Sequence, residues 1–435
     1  MIARLTAGSA CAAAVLLAAA GAAFLAARPR APAAERAAPA APAAAPAPAP
    51  ARELAPEDFV FDGPIGSQGA RIEKTGPNQF LLTLGHAPNQ PTWCNKVGFQ
   101  IKRHAAGNSL RLQVAFEGGK QYYFNDYFQS WSYDGKDWKT IRWNKASKDA
   151  KVEDTLVFPT FAQDTVYVGQ QVPLSYEDVA AMAAEWKKTP YVKVHAVGQS
   201  LGKRDLLRIE VADPASPHPP RSRWVHYVSN QHPGEHNSRW RMVGMIQWLL
   251  GEQGADCRRR TICHFVPFVS PDGPSNGWYR VGAQGVDMNR SYRAEGSDPA
   301  QAHEAYLLQK DLEALMKSEA PVTTVWAMHT WGGIVEPICQ PGPEMDAKVG
   351  PWTDLRDAIV RNDRAASPLI KPLKLATGGG SNTWSGGPHK QFGVTAFLCE
   401  GGGSIYTKEE NLRSGAILMK GLAEYYKGTK EDKRE

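Results

Sequence analysis

An apolar run, Trp224-Val-His-Tyr-Val228, stops at Asn230, gives way to His232-Pro-Gly-Glu235, and is followed at once by a helical pattern. A buried strand that hands over directly to a helix restricts the chain to α/β architectures. The helix places Met242, Val243, Met245, Ile246, Leu249 and Leu250 on one stripe, with Ser238 positioned to cap its start. His232 and Glu235 therefore sit at the carboxyl end of a strand. Neutral imidazole and carboxylate are both zinc donors, and two ligands so close in sequence need a third from elsewhere and an open position if the metal is to do chemistry. The tetrapeptide alone is weak, because a loop Glu is usually solvated and a loop His usually inert.

With 435 residues, 43% of them hydrophobic and 22% charged, the chain has globular composition and room for two domains. The net charge of +6 is spread along the chain, leaves no nucleic-acid footprint and allows only a mild preference for anionic partners. Residues 1–27 read as a signal peptide or membrane anchor: after Arg4, the stretch Leu5 to Ala27 is uncharged and rich in Ala, Leu and Val. Residues 28–55 form an Ala/Pro-rich linker, and 429–435 a charged tail. Either reading of the first segment exports the rest, to the periplasm or cell envelope, with any membrane anchor confined to the N-terminus. Cys257 and Cys263 are close enough to bridge in an oxidising compartment, whereas Cys94, Cys339 and Cys399 read as small buried hydrophobes.

Residues 56–172 read as a small β-sandwich. Leu110, Leu112, Val114 and Phe116 alternate before Gly118-Gly119, the aromatic run Tyr122-Tyr-Phe124 follows, and Asp134-Gly135 joins two further strands in a hairpin. Its aromatic residues suit a packed core better than a sugar-binding platform. From 173 to 428 the pattern alternates. A helix from Tyr176 to Lys187 leads into strands at 206–211, 224–228, 261–269, 322–328 and 394–399, with helices at 238–252, from Asp298-Pro299 to 317, at 352–362 and at 409–427. The fold class is α/β, with a mixed, largely parallel sheet flanked by helices and preceded by the all-β sandwich.

Polar residues stand at the carboxyl ends of several of these strands: His232 and Glu235, the 271–290 loop, His329 and Glu400. Open α/β sheets bind ligands outside those ends, so the segments can share one cleft. His329 after a fully apolar strand would by itself be an ordinary core residue, and it gains meaning from the other groups at the same edge. Glu400, between Thr-Ala-Phe-Leu-Cys and three glycines, does not fit a solvated face.

The ordered set His232-x-x-Glu235, Ser270-Pro-Asp-Gly273, Tyr279-Arg280, Gly285-Val-Asp-Met-Asn289-Arg290, His329 and Glu400 resembles the zinc carboxypeptidases related to carboxypeptidase A. The β domain followed by Leu174-Ser-Tyr-Glu-Asp178 is similar to the layout of cytosolic carboxypeptidases and their bacterial relatives. The resemblance implies a carboxypeptidase-like fold and one Zn2+ per chain held by His232, Glu235 and His329. It implies Glu400 as general base and acid, Arg280 as the stabiliser of the oxyanion, and Asn289 and Arg290 as the clamp on the substrate's terminal carboxylate. The partner implied is a peptide with a free C-terminal carboxylate.

The resemblance departs at Leu375, where the pancreatic enzymes place a mobile tyrosine six residues before the Ser of Gly379-Gly380-Ser381-Asn382. Asn382 falls at the position that forms the pocket floor in that family, and an uncharged amide there points to small polar or acidic C-terminal residues. Two other readings are open to the sequence. One is a zinc amidohydrolase trimming cell-wall peptides or acylated amino acids with the same site, against which the carboxylate clamp speaks. The other is a non-catalytic envelope binding protein, which would be expected to have lost a ligand or the Glu; none is missing.

Overall fold

The computed structural model describes residues 52–117, 129–141, 155–330, 338–341, 354, 357–359, 361–362, 380–400 and 407–427. The expected targeting segment, most of the linker, the Gly118-Gly119 turn with its aromatic run, residues 352–353, 355–356 and 360 of the helix expected at 352–362, Leu375 and the charged tail lie outside the described residues.

The N-terminal part contributes β1 (Phe59–Val60), β2 (Arg71–Gly76), β3 (Gln79–Leu84), β4 (His86–Ala87), β5 (Gln90–Cys94), β6 (Gly98–Ile101), β7 (Leu110–Phe116), β8 (Gln129–Ser132), β9 (Lys139–Ile141), β10 (Thr155–Phe158) and β11 (Val166–Gln170). One sheet runs β1-β6-β11-β8-β9 and a second β10-β7-β3-β2, while β4 and β5 pair by themselves. Both larger sheets feed one core, in which Leu110, Leu112 and Val114 on the inward side of β7 meet Phe99, Ile101, Val166 and Val168. Each side chain fully buried there contributes about 1.5 to 3 kcal/mol. The hairpin forms as the Asp134-Gly135 pair requires: the Asp134 carboxylate accepts Lys136 N at 2.8 Å and Asp137 N at 2.9 Å, and Gly135 takes φ 71°. Trp131 is buried edge-on against Tyr133 and Phe161, so it belongs to the core.

The C-terminal part follows as α1 (Tyr176–Trp186), β12 (Val192–Gln199), β13 (Asp205–Ala212), β14 (Trp224–Asn230), α2 (His236–Leu250), α3 (Ala255–Arg260), β15 (Thr261–Val266), α4 (Gly273–Asn276), α5 (His303–Met316), β16 (Thr324–Met328), β17 (Ile338–Pro341), α6 (Gly387–Phe392), β18 (Thr395–Glu400) and α7 (Lys408–Lys427). Ser175 and Asp178 close a capping box at the start of α1. The strands form one seven-stranded sheet, β12-β13-β15-β14-β16-β18-β17. Its centre, β15-β14-β16-β18, is parallel, and both edges are antiparallel. The parallel centre brings the ends of β14, β15, β16 and β18 to one edge, which is what places the site.

Three local expectations need correction. Ser238 is not the cap of α2; it lies inside the helix, where its hydroxyl donates to Glu235 O at 2.7 Å and accepts Asn230 Nδ2 at 2.8 Å. Asp298-Pro299 does not open α5 either. Asp298 starts a separate turn, Ala302 stands outside the helical region at φ −144°, and the first amide of the helix, His303 N, donates to the Gln284 side chain at 2.8 Å. Cys257 and Cys263 are not bridged. Both thiols lean on Thr261 Oγ1, at 3.9 and 3.6 Å, and burial pushes Cys257 up to about 12 and raises Cys263 as well. They pack as small hydrophobes, as Cys94 and Cys399 do.

Candidate active site

His232 and Glu235 lie on the short turn between β14 and α2, and Gly234 fits that turn because nothing larger does. Its N–H donates to Tyr279 O at 2.7 Å, and a Cβ there would stand 2.7 Å from the Tyr279 backbone. His329 follows β16 directly and is fixed by its own N–H, which donates to Cys399 O at 2.8 Å on β18. His232, Glu235 and His329 are buried, and one ligand atom from each lies within 4.8 Å of the others. Both imidazoles turn Nδ1 toward this point, 3.2 Å apart; Glu235 Oε1 is 2.7 Å from the first and Oε2 3.1 Å from the second. Thr330 N donates to Glu235 Oε2 at 3.0 Å.

The outward nitrogens are held as well. His232 Nε2 meets Asp287 Oδ1 at 3.1 Å, and Asn289 Nδ2 lies 3.1 Å from His329 Nε2. Beneath the turn, Arg239 of α2 is fully buried and donates to the carbonyl oxygens of His232 at 3.3 Å and Pro233 at 2.8 Å. The backbone carrying the first ligand is thereby pinned from within the helix that follows it.

Charge balance favours the ligating carboxylate of Glu235 and the neutral imidazole of His329. Burial raises the Glu235 carboxyl, but His232 and then His329 outweigh it and hold Glu235 far below the usual carboxylate range. Burial would lower both imidazoles; Glu235 reverses this for His232, which ends raised, and only partly offsets it for His329, which ends lowered. Asp287 is held far below its usual range by His232 and Arg280 against the cost of its burial. Two imidazoles and one carboxylate, convergent and backed by a second carboxylate on His232, fit a zinc ion.

Glu400 ends β18, next to the strand that delivers His329. It is partly exposed, and burial of its carboxyl, followed by the Glu235 charge, raises it to about 7 against the pull of His232, Arg241 and Arg280. A carboxyl at that value can both take and return a proton near neutrality. Arg280 donates from Nε to Asp287 Oδ2 at 2.6 Å, so Asp287 joins the oxyanion candidate to the metal ligand.

Residues 179–325 match the zinc carboxypeptidase family. The chain carries a zinc carboxypeptidase domain. The match to the zinc carboxypeptidases takes in His232, Glu235, Arg280, Asn289 and Arg290 and stops short of His329 and Glu400, which the geometry adds. Cytosolic carboxypeptidase 3 of Mus musculus is 28% identical over 179 residues, 40% of this chain and 16% of that protein. Cytosolic carboxypeptidase 2 of Danio rerio is 31% identical over 178 residues, 37% of this chain and 24% of that protein. The chain thus spans less than a quarter of the length of these relatives. A metallo-carboxypeptidase from Burkholderia cenocepacia superposes with TM-score 0.70 at 18% identity, covering 85% of this chain and 98% of its own. A metallo-carboxypeptidase from Pseudomonas aeruginosa, solved with (2-guanidinoethylmercapto)succinic acid, gives 0.67 at 20% identity, with 85% and 99% covered. At these identities the likenesses show a shared fold over most of the chain.

The remaining expected residues lie in one neighbourhood. Arg290 is exposed and donates to Asn289 O at 2.9 Å. Asn382 is partly exposed; its Nδ2 reaches Arg290 O at 3.4 Å, and its carbonyl accepts Tyr292 N at 3.0 Å. Asn289 is buried, with Oδ1 accepting Trp384 N at 3.0 Å, so its side chain faces the metal ligand and the 380–384 segment together. The sequence reading missed Asp287 and Arg239. For Asp287 a signal existed, since it stands between Arg280 and Asn289 in the segment already singled out.

Proposed function

We propose that the chain is an exported zinc-dependent carboxypeptidase that hydrolyses the C-terminal peptide bond of a peptide. The observation that carries this reading is the convergence of His232, Glu235 and His329 at one sheet edge with Glu400 ending the adjoining strand. Export rests on the apolar stretch 5–27 of the sequence alone.

One zinc ion per chain at these three residues would polarise the scissile carbonyl and acidify a water. Glu400, ionised, would take a proton from the attacking water and deliver it to the departing amine, two duties that suit a carboxyl poised near neutrality. Arg280, oriented by Asp287, would face the negative charge that develops on the carbonyl oxygen. Arg290, exposed beside Asn382, would receive the substrate's terminal carboxylate through its guanidinium fork, with Asn289 shaping the wall behind it. Asn382 offers an uncharged amide to the terminal side chain and favours small polar or acidic residues over Lys or Arg.

Two variants test the chemistry. His329→Ala should lose tight stoichiometric zinc by metal analysis, and a full equivalent retained would remove His329 from the ligand set. Glu400→Gln should keep zinc and lose turnover by about 10²-fold or more. A panel of peptides differing only in the last residue reads the pocket: a tenfold preference for Lys or Arg over Glu contradicts the role given to Asn382.

A further inference from the structure

The loop that carries Arg280 is held from outside its own domain. Gly66 N and the Lys96 ammonium both donate to Pro274 O, at 3.3 and 3.0 Å, and Lys96 N donates to Gly277 O at 2.9 Å. Gly277 and Gly285 take φ of +80° and +76°, and a Cβ on either would stand 2.6 to 2.7 Å from the backbone of residues 66–67 or 88. The β4–β5 hairpin closes the contact: Ala87 and Trp93 form a small apolar cluster with Trp278, Val281 and Ala283 of the loop. At its edge the Trp93 ring lies under the Arg280 guanidinium, 5.0 Å from ring centroid to the guanidinium carbon.

We propose that Trp93, a β-sandwich residue, is a positioning residue for Arg280, so that the β domain completes the active site of the carboxypeptidase domain. Asp287 holds Nε at 2.6 Å, and the Trp93 face adds a second restraint on the guanidinium from the other domain. Such preorganisation matters most when charge develops on the reacting oxygen, and its loss should appear in kcat more than in KM. The inference rests on the carboxypeptidase reading above.

The test compares Trp93→Phe with Trp93→Leu in the zinc-loaded full chain, using a peptide the wild type cleaves. Both substitutions fill the apolar cluster, and only Phe offers a ring face to the guanidinium. The expected result is a kcat for Trp93→Phe within about threefold of wild type and a fall for Trp93→Leu of about 5- to 30-fold, KM and zinc content being unchanged. In an Arg280→Ala background the Phe and Leu variants should be equal, since the ring then has nothing to orient. Equal kcat for the two single variants, or a difference that persists without Arg280, overturns the proposal while leaving the carboxypeptidase reading intact. A zinc-loaded wild type that cleaves no C-terminal residue overturns that reading first and this proposal with it. Should the Leu variant not fold, Trp93→Tyr against Trp93→Met repeats the comparison, judged by the same outcomes.

Discussion

Asp287 does two jobs that compete for one carboxylate: Oδ1 holds Nε2 of His232, and Oδ2 holds Nε of Arg280. Replacing it with Asn keeps the shape and removes the charge behind the ligand. Asp287→Asn should weaken zinc affinity by about 10- to 100-fold, measured by competition with a chelator; an unchanged affinity would mean that His232 needs no outer partner. Glu400 poses the opposite problem, because its carboxyl is raised from 4.5 to about 7 by burial and by Glu235. A carboxyl raised in the folded state binds more protons folded than unfolded, so in the metal-free chain this group destabilises the fold as pH rises from about 4.5 through about 7. Glu400→Gln should therefore raise the Tm of the chelator-treated chain at pH 8, by at most about 3 kcal/mol in stability, with the gain vanishing toward pH 4.5. A Tm difference that grows on acidification would reverse the sign of this argument.

At the level of elements, the site depends on α2, whose first turn follows Glu235 and whose sides are buried nearly all round. The apolar stripe read from the sequence shares one core with the sheet and with α7, and residues 171–174 hydrogen-bond to the first turns of the helix. Gly244 and Gly415 let the two helix backbones touch, since a Cβ on Gly415 would stand 1.9 Å from Arg241 O and one on Gly244 2.1 Å from Leu412 O. Gly415→Ala should cost about 3 kcal/mol or more by denaturant unfolding, because helix backbone cannot yield as a side chain can; a loss under about 1 kcal/mol would show that the helices separate easily. The strands that build the site were legible because each is an apolar run ending in one polar residue. The flanking strand β12 was not: Val192-Lys-Val-His-Ala-Val-Gly-Gln199 is half exposed at the sheet edge and its apolar alternation is too weak to separate from a loop. Asp287 and Arg239 escaped for another reason. Their partners are fixed by turns that bring distant or reversed backbone together, and no periodicity reports such contacts. Ser238 and Asp298 show the reverse error, cap-like residues whose hydroxyl or carboxylate serves a neighbouring turn instead.

Across the whole molecule, residues 50–435 form one compact unit although the sequence divides them into a β-sandwich and an α/β domain. The seam explains this. Trp240 Nε1 of α2 donates to Val172 O at 2.9 Å, and Asn237 N donates to Gln171 Oε1 at 3.2 Å. Lys96 is buried there as well, its ammonium pushed down to about 7 by burial and by the Arg239 charge. Pulling the sandwich away would strip partners from several buried polar groups on the same turn of α2 that follows the metal ligand Glu235, and each orphaned group costs about 1 to 3 kcal/mol. The sandwich therefore cannot melt first without loosening the zinc site, nor can the zinc site tighten without stabilising the sandwich. Zinc at about 100 times its Kd should add about 2.7 kcal/mol to the unfolding of the whole unit. Differential scanning calorimetry of the chelated and zinc-loaded chain should show a single transition that moves upward as a whole. Two transitions of which only the later responds to zinc would mean that the sandwich is an independent passenger, and the polar seam would then be too weak to couple it to the site.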